Sequence, residues 1–248
     1  MTKTLTDKKG VILLSNSSLV TYTKISPNKT SPKNSKIDMV IIHCIVGQLT
    51  AKQGCDYFAK SSAQSSANYV VGKDGSIGLC VEEKDRAWTS GGKDKNGNPI
   101  RVNGISGADV DHRAVTIEVA SDATHPYAIT DAAYKALVNL LVDICQRNNI
   151  KELLWKADKS LVGKIDKQNM AVHRWFANKA CPGDYLYNLH DEIAKEVNAR
   201  LSKTEETTSK TLYRVQVGAF SKKSNADAML KKVKAAGFTD AFITTVSK

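Results

Sequence analysis

Ala114-Val115-Thr116-Ile117-Glu118-Val119-Ala120 reads as a strand with two unlike faces. Val115, Ile117 and Val119 share one side and Thr116 and Glu118 the other, because successive strand side chains point in opposite directions. A second apolar run, Met39-Val40-Ile41-Ile42, reads as a buried strand and ends at His43. Ligands of α/β sheets gather off the carboxyl ends of strands, so His43 stands where a site is expected.

A third stretch supplies chemistry: His173-Arg174-Trp175-Phe176-Ala177-Asn178-Lys179-Ala180-Cys181-Pro182-Gly183. Imidazole nitrogen and thiolate are the ligands that Zn²⁺ prefers. The Pro-Gly pair after Cys181 forces a turn that fixes the sulfur in place. His173 and Cys181 are two ligands, and His43 is the best candidate for a third. Three protein ligands leave one tetrahedral position for water, the pattern of a catalytic zinc.

Other positions matter around that centre. Glu118 is a carboxylate in an apolar strand; desolvation would raise its pKa and suit it to general-base work, the other reading being a salt-bridged core Glu. Lys179, two residues before Cys181, would stabilise an oxyanion, or is simply a solvated Lys. Tyr69 would orient the water or donate to the oxyanion, or is an ordinary strand Tyr. Trp88 and Trp175 suit either stacking on a sugar or the core. His112, in Asp111-His112-Arg113, is placed beside the cleft but not as a ligand; His125 and His190 are read as ordinary.

The net charge of +11 and pI of about 9.3 point to an anionic partner. Nucleic acid, an anionic cell wall and a membrane surface all fit that charge, but no nucleic-acid motif is present. Five cysteines, odd in number and scattered, argue for synthesis in a reducing compartment. Neither a signal peptide nor a membrane span is expected, so no stable membrane insertion follows.

The chain is expected to divide into a catalytic domain at residues 1–201, a Ser-Thr-Glu-Lys linker at 202–210 and a small βαβ domain at 211–248. Residues 1–36 read as an extended arm over the first domain. Then come a helix over residues 49–60 and a hairpin turning at Lys73-Asp74-Gly75. Residues 88–107, with five glycines, form a long loop. A helix over residues 130–148 has Thr130 as N-cap. A short strand at Leu153-Leu154-Trp155 and a helix over residues 187–201 complete the domain. The tail predicts a strand at residues 213–217, a helix at 224–236 and a strand at 241–246. Nine Lys or Arg against four Asp or Glu between residues 202 and 248 make that end basic. A unit so small buries too little to be safe alone.

His43 after its strand, Asn68-Tyr69 before Lys73-Asp74-Gly75, Ile117-Glu118, and His173-Arg174 with Lys179-Ala180-Cys181-Pro182-Gly183 together resemble the zinc-dependent N-acetylmuramoyl-L-alanine amidases, whose wider family includes the peptidoglycan recognition proteins. The resemblance covers roughly residues 26–201 and is nearest to endolysins from phages or prophages of clostridial hosts. It implies a mixed α/β fold, a central mixed β-sheet flanked by helices, with zinc in a groove. It implies that His43, His173 and Cys181 bind Zn²⁺, that Glu118 and Tyr69 handle the water and its proton, and that Lys179 supports the oxyanion. The bond cut would join N-acetylmuramic acid to L-alanine of the stem peptide. The chain departs from the family at Thr89, where many relatives have His, and at Asp111-His112-Arg113, where an Asn is usual.

The tail, from Tyr213-Arg214-Val215-Gln216-Val217-Gly218-Ala219-Phe220, resembles half of a SPOR domain, a glycan-binding fold. Two chains would then each supply one half, giving a homodimer held to the wall. The leading reading is a peptidoglycan-cleaving endolysin that waits in the bacterial cytoplasm until a holin opens the membrane; a host autolysin uses the same chemistry. The alternative is a non-catalytic peptidoglycan-binding protein, against which Cys181, Glu118 and Lys179 argue. A nucleic-acid-binding protein would explain the charge but not the metal constellation.

Overall fold

The structure, a computed structural model, describes residues 5–6, 12–13, 16–210 and 215–245. Two strands, β1 (Leu5–Thr6) and β2 (Ile12–Leu13), pair antiparallel at the start. β3 (Tyr22–Thr23) and β4 (Lys29–Thr30) belong to the expected arm. The arm does more than lie over the domain, since β3 becomes an edge strand of the main sheet and β4 pairs with β8 (Arg86–Ala87). Asn28 fastens it by donating to the carbonyls of Phe58, Lys60 and Ser65.

The two apolar runs form the centre. β5 (Met39–Val46) and β11 (Ala114–Ser121) pair parallel along their whole length, from Met39 opposite Ala114 to Val46 opposite Ser121. Near-continuous burial suits strands covered on both faces. β6 (Tyr69–Val71) flanks β11 in parallel, then turns through Lys73-Asp74-Gly75 into antiparallel β7 (Ile77–Leu79). Gly75 takes the turn's positive φ of 80°. β12 (Met170–Ala171) lies on the other side of β5. The result is a six-stranded mixed sheet in the order β12-β5-β11-β6-β7-β3. In the long loop, β9 (Arg101–Val102) and β10 (Ile105–Ser106) make a separate ribbon.

Helices cover both faces. α1 (Ala51–Phe58) starts with a capping box, in which Thr50 Oγ1 accepts from the Gln53 amide and Gln53 Oε1 accepts from the Thr50 amide. It packs Cys55 and Phe58 against Val70 and Cys80. On the opposite face α3 (Asp131–Arg147), capped by Thr130, buries Leu137, Leu140, Leu141 and Ile144 beside Val115, Ile117 and Val119. α2 (Gly107–Asp111) is one short turn after the β9–β10 ribbon.

Three sequence expectations change. Leu153-Leu154-Trp155 forms no strand. The Asn198 side chain bonds both backbone groups of Leu153, and Asn169 Oδ1 takes the Leu154 amide, so side-chain amides satisfy what a ladder would. α4 (Gly183–Lys210) begins earlier than expected and runs through the supposed linker, because Ser, Thr, Glu and Lys without Gly or Pro do not break a helix. By contact density the chain divides into Met1–Glu205 and Glu206–Lys248, a boundary inside that helix.

The third change is in the tail. α5 (Lys223–Ala235) forms as expected, but residues 215–217 and 241–245 make no strand; residues 213, 214 and 246 of those expected strands lie outside the described residues. A strand needs a ladder partner, and among the described residues neither segment has one. α5 buries no residue, and Val215 and Phe242 are 87% and 78% exposed.

Candidate metal centre

The sheet register decides which side chains meet. His43 on β5 pairs with Glu118 on β11, so both project from the same face at the same level. Both are the fifth of eight residues in their strands, and each strand runs three residues past the site. The chain leaving β12 turns through a short 3-10 helix, His173–Trp175, which brings His173 beside His43 with ring centroids 5.1 Å apart. Cys181 arrives from the loop before α4. Its Sγ lies 3.3 Å from His43 Nδ1. Arg174 holds that loop: its amide donates to the Cys181 carbonyl, and its guanidinium donates to the Ala180 carbonyl and to Asp184 on α4.

The donor atoms of His43, His173 and Cys181 lie within 4.8 Å of one another. Bond lengths near 2.3 Å to sulfur and 2.05 Å to nitrogen in a tetrahedron space two such donors by about 3.5 Å. The 3.3 Å between Cys181 Sγ and His43 Nδ1 is close to that. Two buried atoms with no hydrogen-bond partner sharpen the case, His173 Nε2 and Glu118 Oε2. Burial holds His43 well below the ordinary imidazole range, with the charges of His173 and His190 adding to the effect. Burial also lowers His173. Burial thus favours the neutral form of both rings, the form with a lone pair to offer. Burial, assisted by Cys44, pushes Glu118 up to about 8. A soft–borderline donor set of two neutral imidazoles and one thiol, with orphaned polar atoms, fits Zn²⁺.

The other expected residues separate. Lys179 is exposed in the loop between His173 and Cys181, close enough that its charge lowers the His173 pKa. Tyr69 does not face the centre. It pairs with Ile117, the residue before Glu118, so it projects from the opposite face. There its hydroxyl donates to buried Glu83 and accepts from the Ser17 amide, and Arg147 bonds the same carboxylate. Trp175 is buried and stacks on Trp155 at 5.4 Å, a core role that removes it from sugar contact. Trp88 is partly exposed, with its indole nitrogen donating to Thr30. His112 Nδ1 accepts from the Asn34 amide.

Sequence reasoning passed over Ser90 and Asp111, both fully buried or nearly so. Ser90 Oγ lies 3.3 Å from His43 Nε2. Asp111 Oδ2 accepts from the amides of Thr89 and Ser90. Both segments stood out only as departures from the family pattern; a buried small hydroxyl carries no periodic signal that would reveal its role.

A family model described as Amidase_2, N-acetylmuramoyl-L-alanine amidase, matches residues 33–184, more than half of the chain. The chain belongs to the N-acetylmuramoyl-L-alanine amidase family. The amidase is thus a peptidoglycan hydrolase. A SPOR domain model matches residues 192–248, starting inside α4. Among solved structures, the Staphylococcus aureus hydrolase AmiA in complex with its ligand is 14% identical, over 75% of this amidase and 84% of that chain, with a TM-score of 0.51, which shows a shared fold. The N-acetylmuramoyl-L-alanine amidase LysC from Clostridium intestinale is 15% identical over 72% and 97% of the two chains, with a TM-score of 0.40. An AmpD derivative is 17% identical over 56% and 82%, with a TM-score of 0.43. Among curated proteins none matches in sequence.

Proposed function

We propose that the amidase is a zinc enzyme of the endolysin type, with His43, His173 and Cys181 as the ligands. The observation that carries this is the convergence of three donor side chains beside the unpartnered carboxylate of Glu118. A zinc ion held there supplies a Lewis acid that polarises a carbonyl and makes water a better nucleophile. The chain's own residues do the rest. Glu118 accepts the proton of the attacking water and returns it to the amide nitrogen of L-alanine as the C–N bond breaks. Lys179 brings a positive charge to the oxyanion that develops on the lactyl carbonyl. Tyr69 takes no part, being bound to Glu83 on the other face.

The same reading extends to the rest of the molecule. The basic tail holds the glycan, and two copies pair through their apolar tail segments to make a homodimer. Among the described residues no helix is long and apolar enough to cross a membrane. The amidase, as a phage or prophage endolysin, would be stored in the host cytoplasm and reach the wall when a holin opens the membrane.

The test is digestion of purified peptidoglycan by the zinc-loaded protein, with mass analysis of the new ends. Free stem peptides beginning at L-alanine are expected, and none from Glu118→Gln. Cleavage within the glycan, or full activity after stringent chelation, would overturn the reading.

A further inference from the structure

One short segment touches both histidines of the centre. Ser90 Oγ is 3.3 Å from His43 Nε2. The next residue, Gly91, offers its backbone carbonyl to the His173 ring. The segment is itself clamped. Asp111 Oδ2 takes the amide hydrogens of Thr89 at 3.1 Å and Ser90 at 2.9 Å, and Thr89 Oγ1 donates to the Ser66 carbonyl at 2.8 Å. Gly107, first residue of α2, lies so close to the Ser90 carbonyl that a Cβ there would be 1.9 Å from the oxygen. α2 thus presses on the segment at its start and bonds to it from its end.

We propose that Ser90 and Asp111 are positioning residues that select the ligand atoms of the two histidines. Ser90 Oγ accepts from His43 Nε2–H, which leaves Nδ1, the atom facing Cys181, unprotonated for the metal. The Gly91 carbonyl, turned toward the His173 ring, accepts from one ring N–H and leaves the other nitrogen for the metal. Asp111 keeps both acceptors in place by holding the backbone of residues 89–90. The physical basis is that an imidazole binds a metal through one nitrogen while the partner of the other fixes its tautomer and ring plane. The inference rests on the zinc reading above, and assigns roles to residues which that reading leaves unused.

The experiment measures zinc affinity by chelator competition, and the ring protonation of His43 by long-range ¹H–¹⁵N correlation in the zinc-loaded full chain. The wild type is expected to bind zinc and to show His43 protonated at Nε2. Ser90→Ala and Asp111→Ala are expected to lose roughly 10- to 100-fold in affinity, the usual effect of removing such a partner. Asp111→Asn, which keeps an oxygen for the two amides, is expected to recover most of it. Cys145→Ala, in the core beside α3, serves as a variant that loosens packing without touching the segment, and its zinc affinity is expected to be unchanged. Folded Ser90→Ala and Asp111→Ala proteins with wild-type affinity and tautomer would overturn the proposal alone. A wild type that binds no zinc would overturn it together with the reading beneath it.

Discussion

Glu118 shows what burying a carboxyl without a partner does to stability at a single residue. Its carboxyl has a buried oxygen with no partner, and burial raises its pKa from 4.5 to about 8. In the metal-free protein the folded state therefore holds a proton that the unfolded state releases between those two values. Stability falls as pH rises through that window, and the full cost is present above about pH 8. Glu118→Gln removes it. We expect the metal-free variant to be more stable than the wild type by a few kcal/mol, about 1.36 per pKa unit, at pH 8.5, and equal to it below pH 4.5. Denaturant unfolding of the chelated proteins at several pH values checks this; a gap that does not grow with pH would refute it. Tyr69 makes the opposite case. Its hydroxyl serves a buried carboxylate on the far face, so Tyr69→Phe is expected to cost about 1–3 kcal/mol of stability while leaving kcat unchanged. Unfolding curves beside turnover measurements separate the two.

At the scale of elements, the centre depends on where strands end and loops return. β5 and β11 deliver His43 and Glu118 from rigid, fully paired backbone. His173 comes from a single 3-10 turn and Cys181 from a loop, braced by Arg174 to the start of α4. α2 is the least expected support, five residues long yet packed against Ser90. Gly107→Ala inserts a methyl where the Ser90 carbonyl already sits. We expect it to cost about 1–3 kcal/mol of stability, as overpacking does, and to lower zinc affinity, because the backbone that must yield carries both histidine acceptors. Thermal unfolding with and without zinc reads both effects; an unchanged zinc-dependent rise in Tm would sink the second.

At the scale of the whole molecule, the amidase unit has a continuous core on both faces of its sheet, while α5 in the second unit buries nothing. Unit 1 is thus expected to fold when the chain stops at Glu205, keeping hydrolysis of soluble muropeptide and losing retention on walls. Equal wall binding by the truncated and full chains would exclude the tail as the anchor. The tail exposes Val215, Val217, Phe220, Phe238 and Phe242, apolar side chains that pairing between copies would bury. Sedimentation of the full chain is expected to show concentration-dependent dimers that the truncated chain lacks.

How much of this was legible beforehand follows from what each pattern encodes. Local pattern was enough for the hairpin at Gly75, the capped helices α1 and α3, and the two central strands, because turn chemistry and period act within a few residues. Residue type and strand position offered His43, His173 and Cys181 as candidate metal donors, as the family resemblance also implied, and marked Glu118 as a carboxylate in apolar surroundings. The sequence could not relate the faces of different strands. Alternation sorts side chains within one strand, but only the register of Tyr69 against Ile117 sends that side chain away from Glu118. Nor could it tell that Leu153 and Leu154 would be bonded by two asparagine side chains, or that, among the described residues, the tail segments would find no ladder partner. Ser90 and Asp111 gained their meaning from contacts spanning 47 and 21 positions of chain. Local chemistry chose the donors, and long-range packing decided which of them meet and what holds them there.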